Sequence, residues 1–546
     1  MNRRSELLAR LRSKSFDLLV IGGGIVGAGI ARDAAMRGLR VALIERGDFA
    51  GGASSKTSKL IHGGLRYLEQ GRLRLVAESL RERRILRTIA PQLVWPATLA
   101  IPVYRGDVRA PWKIACGLRL YDLLAGRGGL TRHRLLSPRR AVQYEPRLNP
   151  DGLRAMGTYV DCQMDDARLC LANILQAVAF GAVCVNYVTL LAFQKTAGRL
   201  TGAFVEDRPT GERFSLSARV VVNATGPWSD AVRRLSVPHA GTRLAPTKGI
   251  HVVVPRLCAH PLFVQARSTR RMMFLVPWAE ATLLGTTESD APDLETLSAT
   301  PEEVESLLTE ANRVVPGARL TARDVIATFA GARPLLAFSG SATRASREHR
   351  LEVDAAGLVS VMGGKYTTFR LMAKQTLDAV LSRWRFRAEA CLTHQVGLLE
   401  PVHPVVLTRW QEVTRDIPEP LLARLLIRYG TGTFRILHLL EFEPRLIQPV
   451  CPHHDVIQAE LVYALQDELA CTVSDLLVRR TAIAFSACQG LDGLSTLTDL
   501  LKRYGRFSDE EIATQVHDYH QVLSASLACR GGEVASPGGH LAVVDD

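Results

Sequence analysis

The sequence predicts an α/β, Rossmann-like dinucleotide-binding domain, an antiparallel β-sheet domain inserted into it, and a separate α-helical domain at its C-terminal end. Three observations carry this. A strand, a glycine turn, a helix and a second strand open the chain over residues 16–46. Strand patterns at 250–255, 272–277 and 282–286 lie close together with few helices between them, and beyond about residue 388 the apolar spacing turns helical.

Residues 1–15 form a basic leader, with Arg3, Arg4, Arg10, Arg12 and Lys14 against Glu6 and leucines at 7, 8 and 11. It reads either as a short amphipathic helix for a membrane surface or as a solvated extension. Residues 16–21 are a strand, and Gly22-Gly23-Gly24-Ile25-Val26-Gly27 follows as GxGxxG. Gly38 stops the helix, and Glu45 ends the strand after it. Gly22 permits the turn, Gly24 lets backbone N–H groups approach a pyrophosphate, and Gly27 allows close helix–sheet packing. Glu45 is placed to accept hydrogen bonds from ribose hydroxyls. The motif alone does not choose between NAD and FAD. The parallel-sheet signals resume only at Gly357–Met362, an interrupted layout that suits FAD.

Residues 169–194 carry no charge and are long enough to span a bilayer. Polar interruptions and Gly181 favour a buried helix over 165–180 and a strand from about 182 to 193. The dinucleotide domain is thus expected at about 16–90, 155–240 and 325–388. The inserted domain is expected at about 91–154 and 241–324, the helical domain at 389–525, and a disordered tail at 526–546.

Over 546 residues, the apolar fraction of 47% and charged fraction of 22% exclude wholesale disorder and a small disulfide scaffold. Ten cysteines form no CxxC pair. Cys451-Pro452-His453-His454-Asp455 has metal-ligand residues but no second ligand cluster at suitable spacing, so no metal is assigned. Net charge is +14, and residues 62–140 hold sixteen Lys/Arg against five Asp/Glu. Such a field recruits anionic lipid, a phosphorylated substrate or nucleic acid; no nucleic-acid-binding motif accompanies it. Trp95, Tyr104, Trp112 and Tyr121 within the stretch suit a headgroup interface.

The run Ser54-Ser55-Lys56-Thr57-Ser58-Lys59-Leu60-Ile61-His62-Gly63-Gly64-Leu65-Arg66-Tyr67-Leu68 resembles the FAD-dependent, quinone-linked glycerol-3-phosphate dehydrogenases. So do Asp165-Asp166-Ala167-Arg168-Leu169, Asn223-Ala224-Thr225-Gly226-Pro227-Trp228, Gly331-Ala332-Arg333-Pro334 and Gly363-Gly364-Lys365-Tyr366-Thr367-Thr368. The resemblance covers roughly residues 15–525 and points to the bacterial form, since no calcium-loop sequence follows. Ala332 departs from the family, where Val is common, and leaves the arginine in place. Of nine lysines beside 59 arginines, Lys56, Lys59 and Lys365 fall within these strings and Lys248 within a further match, Lys248-Gly249.

The resemblance implies a glutathione-reductase/amino-acid-oxidase-like FAD domain. It also implies oxidation of sn-glycerol 3-phosphate to dihydroxyacetone phosphate, with hydride passing from C2 to flavin N5 and electrons to membrane quinone. FAD contacts are expected from Gly22, Gly24, Gly27, Glu45, Ser54, Ser55, Lys59, Leu60, Ala224, Gly226, Gly364, Lys365 and Thr367. The substrate phosphate calls for cations, first Arg333, then Arg66, Arg347 and Lys365, with Tyr67 adding a hydrogen bond. His62, beside Gly63-Gly64, is the first candidate base and His251 its rival. Arg333 and Lys365 join His62 as catalytic candidates. The implied location is the cytoplasmic face of the inner membrane, held peripherally on anionic lipid; a homodimer is compatible with the sequence. The alternatives are an α-glycerophosphate oxidase using O2 and, in another class, a non-catalytic flavin-binding sensor.

Overall fold

The computed structural model describes residues 3–291, 293–337, 348–399, 415 and 417–530. Ser15–Ile21 is apolar and buried over nearly its whole length, the pattern of a central parallel strand covered on both faces. It pairs in parallel with Val41–Ile44 on one side and with Glu212–Asn223 on the other. Val183–Val185 and Val359–Gly363 extend this parallel core, and the antiparallel strands His349–Val353, Arg199–Asp207 and Val188–Thr196 complete an eight-stranded sheet.

The glycine turn leads into the helix Ile25–Met36, ten of whose twelve residues are buried. Gly22 has φ +107°, and a Cβ on Gly27 would lie 1.9 Å from the Gly22 carbonyl oxygen. No side chain fits there, so the helix packs at backbone distance from the turn.

The second sheet has ten strands and is mainly antiparallel. Thr247–Pro255, Ala281–Gly285, Met272–Trp278 and Leu262–Gln265 lie side by side, and a parallel contact at Leu262 joins them to Val94–Tyr104 and then Leu153–Met164. The expected boundaries shift here. Residues 155–164 and 327–333 are expected in the dinucleotide domain, yet Leu153–Met164 and Ala327–Arg333 run in the second sheet. The chain changes sheet at the ends of these strands, where no glycine or proline cluster marks the crossing.

The leader departs further from expectation. Arg3–Ser13 is a helix whose Leu7, Leu8 and Leu11 are buried in the core of the first sheet. Its apolar stripe covers the protein's own core, so it is neither a membrane helix nor a solvated extension. Arg4 pairs with buried Asp207 at 2.5 Å.

Uncharged residues 169–194 form the buried helix Asp166–Ala179 and then two strands separated by a turn at Tyr187. Among the described residues no helix is long and apolar enough to cross a membrane. The C-terminal helices Glu419–Tyr429, Thr433–Phe442, Gln458–Gln466, Leu494–Leu500 and Asp509–Ser526 enclose their own core. Residues 526–530, read as part of a disordered tail, turn back onto the second sheet. There Ser526 Oγ accepts from Thr328 N at 2.8 Å, and Arg530 Nε donates to Val325 O at 3.0 Å. Residues 531–546 lie outside the described residues.

Buried charge joins the helical domain to the first sheet. Asp48 is fully enclosed, and its carboxylate receives Arg479 Nε at 2.5 Å, Arg480 Nη1 at 2.7 Å and Arg480 Nη2 at 2.9 Å. Burial alone would raise its pKa, but the two guanidinium groups outweigh that and hold it well below the usual carboxylate range. Asp48→Asn should cost about 3–5 kcal/mol, because it leaves buried cations without their anion. Glu78→Gln, in the exposed Arg74–Glu78 pair, should cost less than about 0.5 kcal/mol. Denaturant unfolding measures both. The Asp48 contribution should be complete above its ordinary value of 3.8 and fade as the pH falls through the depressed folded value, so the gap between wild type and Asp48→Asn closes in acid.

Candidate functional site

Strand ends and loops of both sheets line a cavity of about 1320 Å³. That exceeds the space a small metabolite alone fills. Its first part is the glycine turn. Gly22 and Gly24 line it, and a Cβ on Gly24 would sit 3.1 Å from Ser54 Oγ, which caps the helix by accepting from Ile25 N at 2.9 Å. Gly22 and Gly24 carry no side chain, so the helix N-terminus faces the cavity with only the Ser54 hydroxyl against it, a cradle for pyrophosphate.

Glu45 Oε2 accepts from Gly23 N at 2.7 Å and Oε1 from Gly47 N at 2.9 Å. Burial raises the Glu45 pKa, and the two N–H groups oppose it. Each oxygen keeps a lone pair for a ribose hydroxyl. Leu60, Ala224, Gly226, Gly364 and Thr367 also line the cavity. This donor and acceptor set fits an extended flavin dinucleotide.

Three expected FAD contacts stand elsewhere. Gly27 lies behind the turn, where it serves packing. Ser55 Oγ donates to Ala50 O at 2.8 Å and braces the loop. Lys59 is buried, its Nζ 2.6 Å from Asp166 Oδ1 and 2.9 Å from Ser55 O. Thr57 Oγ1 donates to the same carboxylate at 2.7 Å. The two family strings around Lys59 and Asp166 thus meet each other in a structural ion pair, and the lysine does not line the cavity.

At the other part of the cavity stand cations. Arg66, Arg333 and Lys365 line it, as expected, and so does Arg271. Arg333 Nη2 donates to Thr286 Oγ1 at 2.7 Å and Thr287 O at 3.0 Å, and Nη1 to Lys248 O at 3.2 Å, which fixes the guanidinium plane. Lys365 Nζ and Arg66 Cζ lie 5.2 and 5.7 Å from the ring centre of Tyr67, which also lines the cavity. Gly64, at φ +82°, lets this ring fold back: a Cβ there would be 2.4 Å from Tyr67 Cδ2. Arg347 lies outside the described residues.

His62 lines the cavity on a loop held from two sides. Its backbone exchanges hydrogen bonds with Thr367 Oγ1 at 3.3 Å. Tyr121 OH accepts from Gly63 N at 2.8 Å and donates to buried Asp161 at 2.6 Å. His251 also lines the cavity but is buried, with Nε2 2.9 Å from Ser58 Oγ and the ring stacked on Phe329. Burial, with Arg333 and Lys59 nearby, pushes its pKa down to about 3, so it is neutral near pH 7.

Sequence reasoning assigned no site role to Lys56, Arg271, Trp228 or Phe274, all of which line the cavity. Arg271 sits in a strand-connecting turn without a motif, one of 59 arginines, so no sequence signal set it apart. Lys56 stood inside the family string. Its pKa is lowered by burial and by Arg479, which also reaches the cavity wall.

A family model described as FAD dependent oxidoreductase matches residues 17–412, and one described as the C-terminal domain of alpha-glycerophosphate oxidase matches residues 362–512. The chain is 37% identical to a glycerol-3-phosphate dehydrogenase of Synechocystis sp., over 94% of this chain and 97% of that one. It is 34% identical to the aerobic glycerol-3-phosphate dehydrogenase of Bacillus subtilis, over 88% and 90%. The structure matches that of the Bacillus halodurans glycerol-3-phosphate dehydrogenase complexed with FAD. The TM-score is 0.76 at 28% identity, covering 96% of this chain and 98% of that one. With a glycine cradle for FAD and these relatives along nearly its whole length, the chain belongs to the FAD-dependent oxidoreductase family and, within it, to the glycerol-3-phosphate dehydrogenases.

Proposed function

We propose that this protein oxidises sn-glycerol 3-phosphate at its secondary alcohol to dihydroxyacetone phosphate and passes the electrons to membrane quinone. The observation that carries the substrate assignment is the joining, in one cavity, of the glycine-turn cradle to Arg66, Arg271, Arg333 and Lys365. FAD bound in the cradle supplies a hydride acceptor, at N5 of its flavin. The cations meet the phosphate dianion, and Arg333 is the best anchored of them: Nη2 is spent on Thr286 and Thr287 and Nη1 donates to Lys248 O, so it offers the dianion a fixed positive charge. We assign removal of the hydroxyl proton to His62, because His251 is held neutral with too little basicity for the task.

The quinone assignment rests on a surface feature. The helix Pro111–Ala125 buries Ile114, Leu118 and Tyr121 on one side. On another it exposes Trp112, Cys116, Arg119 and Leu123, spaced as a single stripe, with Trp112 and Leu123 66% and 76% exposed. Exposed Lys113 lies beside it, within the most basic stretch of the chain. Apolar and cationic side chains so mixed suit the headgroup layer of an anionic membrane, where quinone is reached.

Dye-linked turnover by the purified holoenzyme tests the substrate: sn-glycerol 3-phosphate should be oxidised and glycerol or amino acids should not. Arg333→Ala should lower kcat/KM by about 10-fold or more, the scale of one interaction with a charged group, while retaining FAD. A loss under about threefold removes Arg333 from the phosphate site. For the acceptor, the holoenzyme should sediment with anionic vesicles, release at high salt, and reduce a quinone analogue there faster than it reduces O2. Trp112→Ser with Leu123→Ser should abolish sedimentation and leave dye-linked turnover unchanged. Rapid, quinone-indifferent reaction with O2 makes the protein an oxidase instead.

A further inference from the structure

We infer that Cys451, His454 and Cys488 bind a soft divalent cation of the zinc class within the C-terminal helical domain. The motif around Cys451 has no second cluster at ligand spacing in the sequence, and the fold supplies the missing group from a distant segment. Cys451 Sγ lies 3.9 Å from Cys488 Sγ, and a His454 ring nitrogen completes a triplet whose ligand atoms all lie within 4.8 Å of one another. Among the described residues it is the one such triplet of His, Cys, Asp and Glu side chains.

Zn–S bonds of about 2.3 Å at a tetrahedral angle place two thiolates about 3.8 Å apart, the separation found here. A disulfide needs sulfurs at about 2.05 Å, and both cysteines are reduced. Cys451 is 3% exposed, and the pair is backed by protein. Ser486 Oγ, whose own proton goes to Ile483 O at 2.7 Å, stands 2.7 Å from His454 Nε2, placed to accept from the ring and orient it. Binding releases two thiol protons and leaves one tetrahedral position for water.

The site would clamp a segment that reaches the active-site wall. Between Ser486 and the second sheet, Phe485 packs on Trp278 at 5.2 Å and on Phe329 at 5.7 Å, and Phe329 stacks on His251. Gln489 Nε2 donates to Ile326 O at 2.6 Å. A cation joining the loop at Cys451 to Cys488 would hold this brace in place.

Metal analysis of the reduced, FAD-loaded full-length protein tests the inference. It should carry about one zinc per chain, and cobalt exchange should give a thiolate-to-cobalt charge-transfer band. Cys451→Ser with Cys488→Ser should bind less than about one-tenth of that zinc and keep its FAD. Failure of the reduced wild type to take up zinc or cobalt at micromolar free metal overturns the inference, as does recovery of a metal-free Cys451–Cys488 disulfide. Should the double variant fail to fold, the wild-type cobalt spectrum decides alone.

Discussion

Buried ion pairs hold a floor that backbone hydrogen bonds alone would not. Between Glu45 and His62 the chain has only one short 3-10 turn and a two-residue strand, yet this segment supplies much of the cavity lining. Asp48 pins its start to Arg479 and Arg480, and Lys59 pins its end to Asp166. Such pairs repay little net stability, because desolvating the charges offsets their attraction. What they fix is position. A loop with few ladder bonds becomes rigid enough to present Ser54, Ser58 and His62 at set places. The helical domain is consequently part of the active-site architecture, since it supplies two of the three charged partners.

The cavity divides its electrostatic work. At the cradle, backbone dipoles meet a group whose own pyrophosphate is negative, and Glu45 faces its ribose. At the far part, Arg66 and Lys365 flank Tyr67, and Arg333 and Arg271 line the same cavity. His251 lies near Arg333 and Lys59, and burial together with those two charges keeps it uncharged. His62 sits on the loop that links the two parts, with Thr367 and Tyr121 setting its backbone. A fixed array of cations suits a small phosphate ester better than it suits a neutral polyol.

Much of this was legible in the residues. Strand, glycine turn, helix and terminal glutamate follow local rules, because the close approach at Gly22 and Gly27 leaves no alternative residue. The buried helix after Asp165 announced itself through its polar interruptions and through Gly181. Four features were not legible, each for a physical reason. The leucines of the leader fit a membrane and a protein core equally well, since amphipathicity names an apolar partner without saying which. Lys59 looked like a ligand contact because a string match carries no direction for a side chain, and its anion lies over a hundred residues away. Strand 153–164 has the same pattern whichever sheet it joins. The meeting of Cys451 with Cys488 depends on tertiary closure alone.

The central claim is that a flavin held in the glycine cradle takes its electrons from a substrate gripped by the cations. Anaerobic absorption spectroscopy of the purified holoenzyme addresses it most directly. On adding sn-glycerol 3-phosphate without oxygen, the visible flavin band should bleach within one turnover and remain bleached until an acceptor is supplied. A flavin that stays oxidised with this ester, or that bleaches with an amino acid instead, would contradict the account.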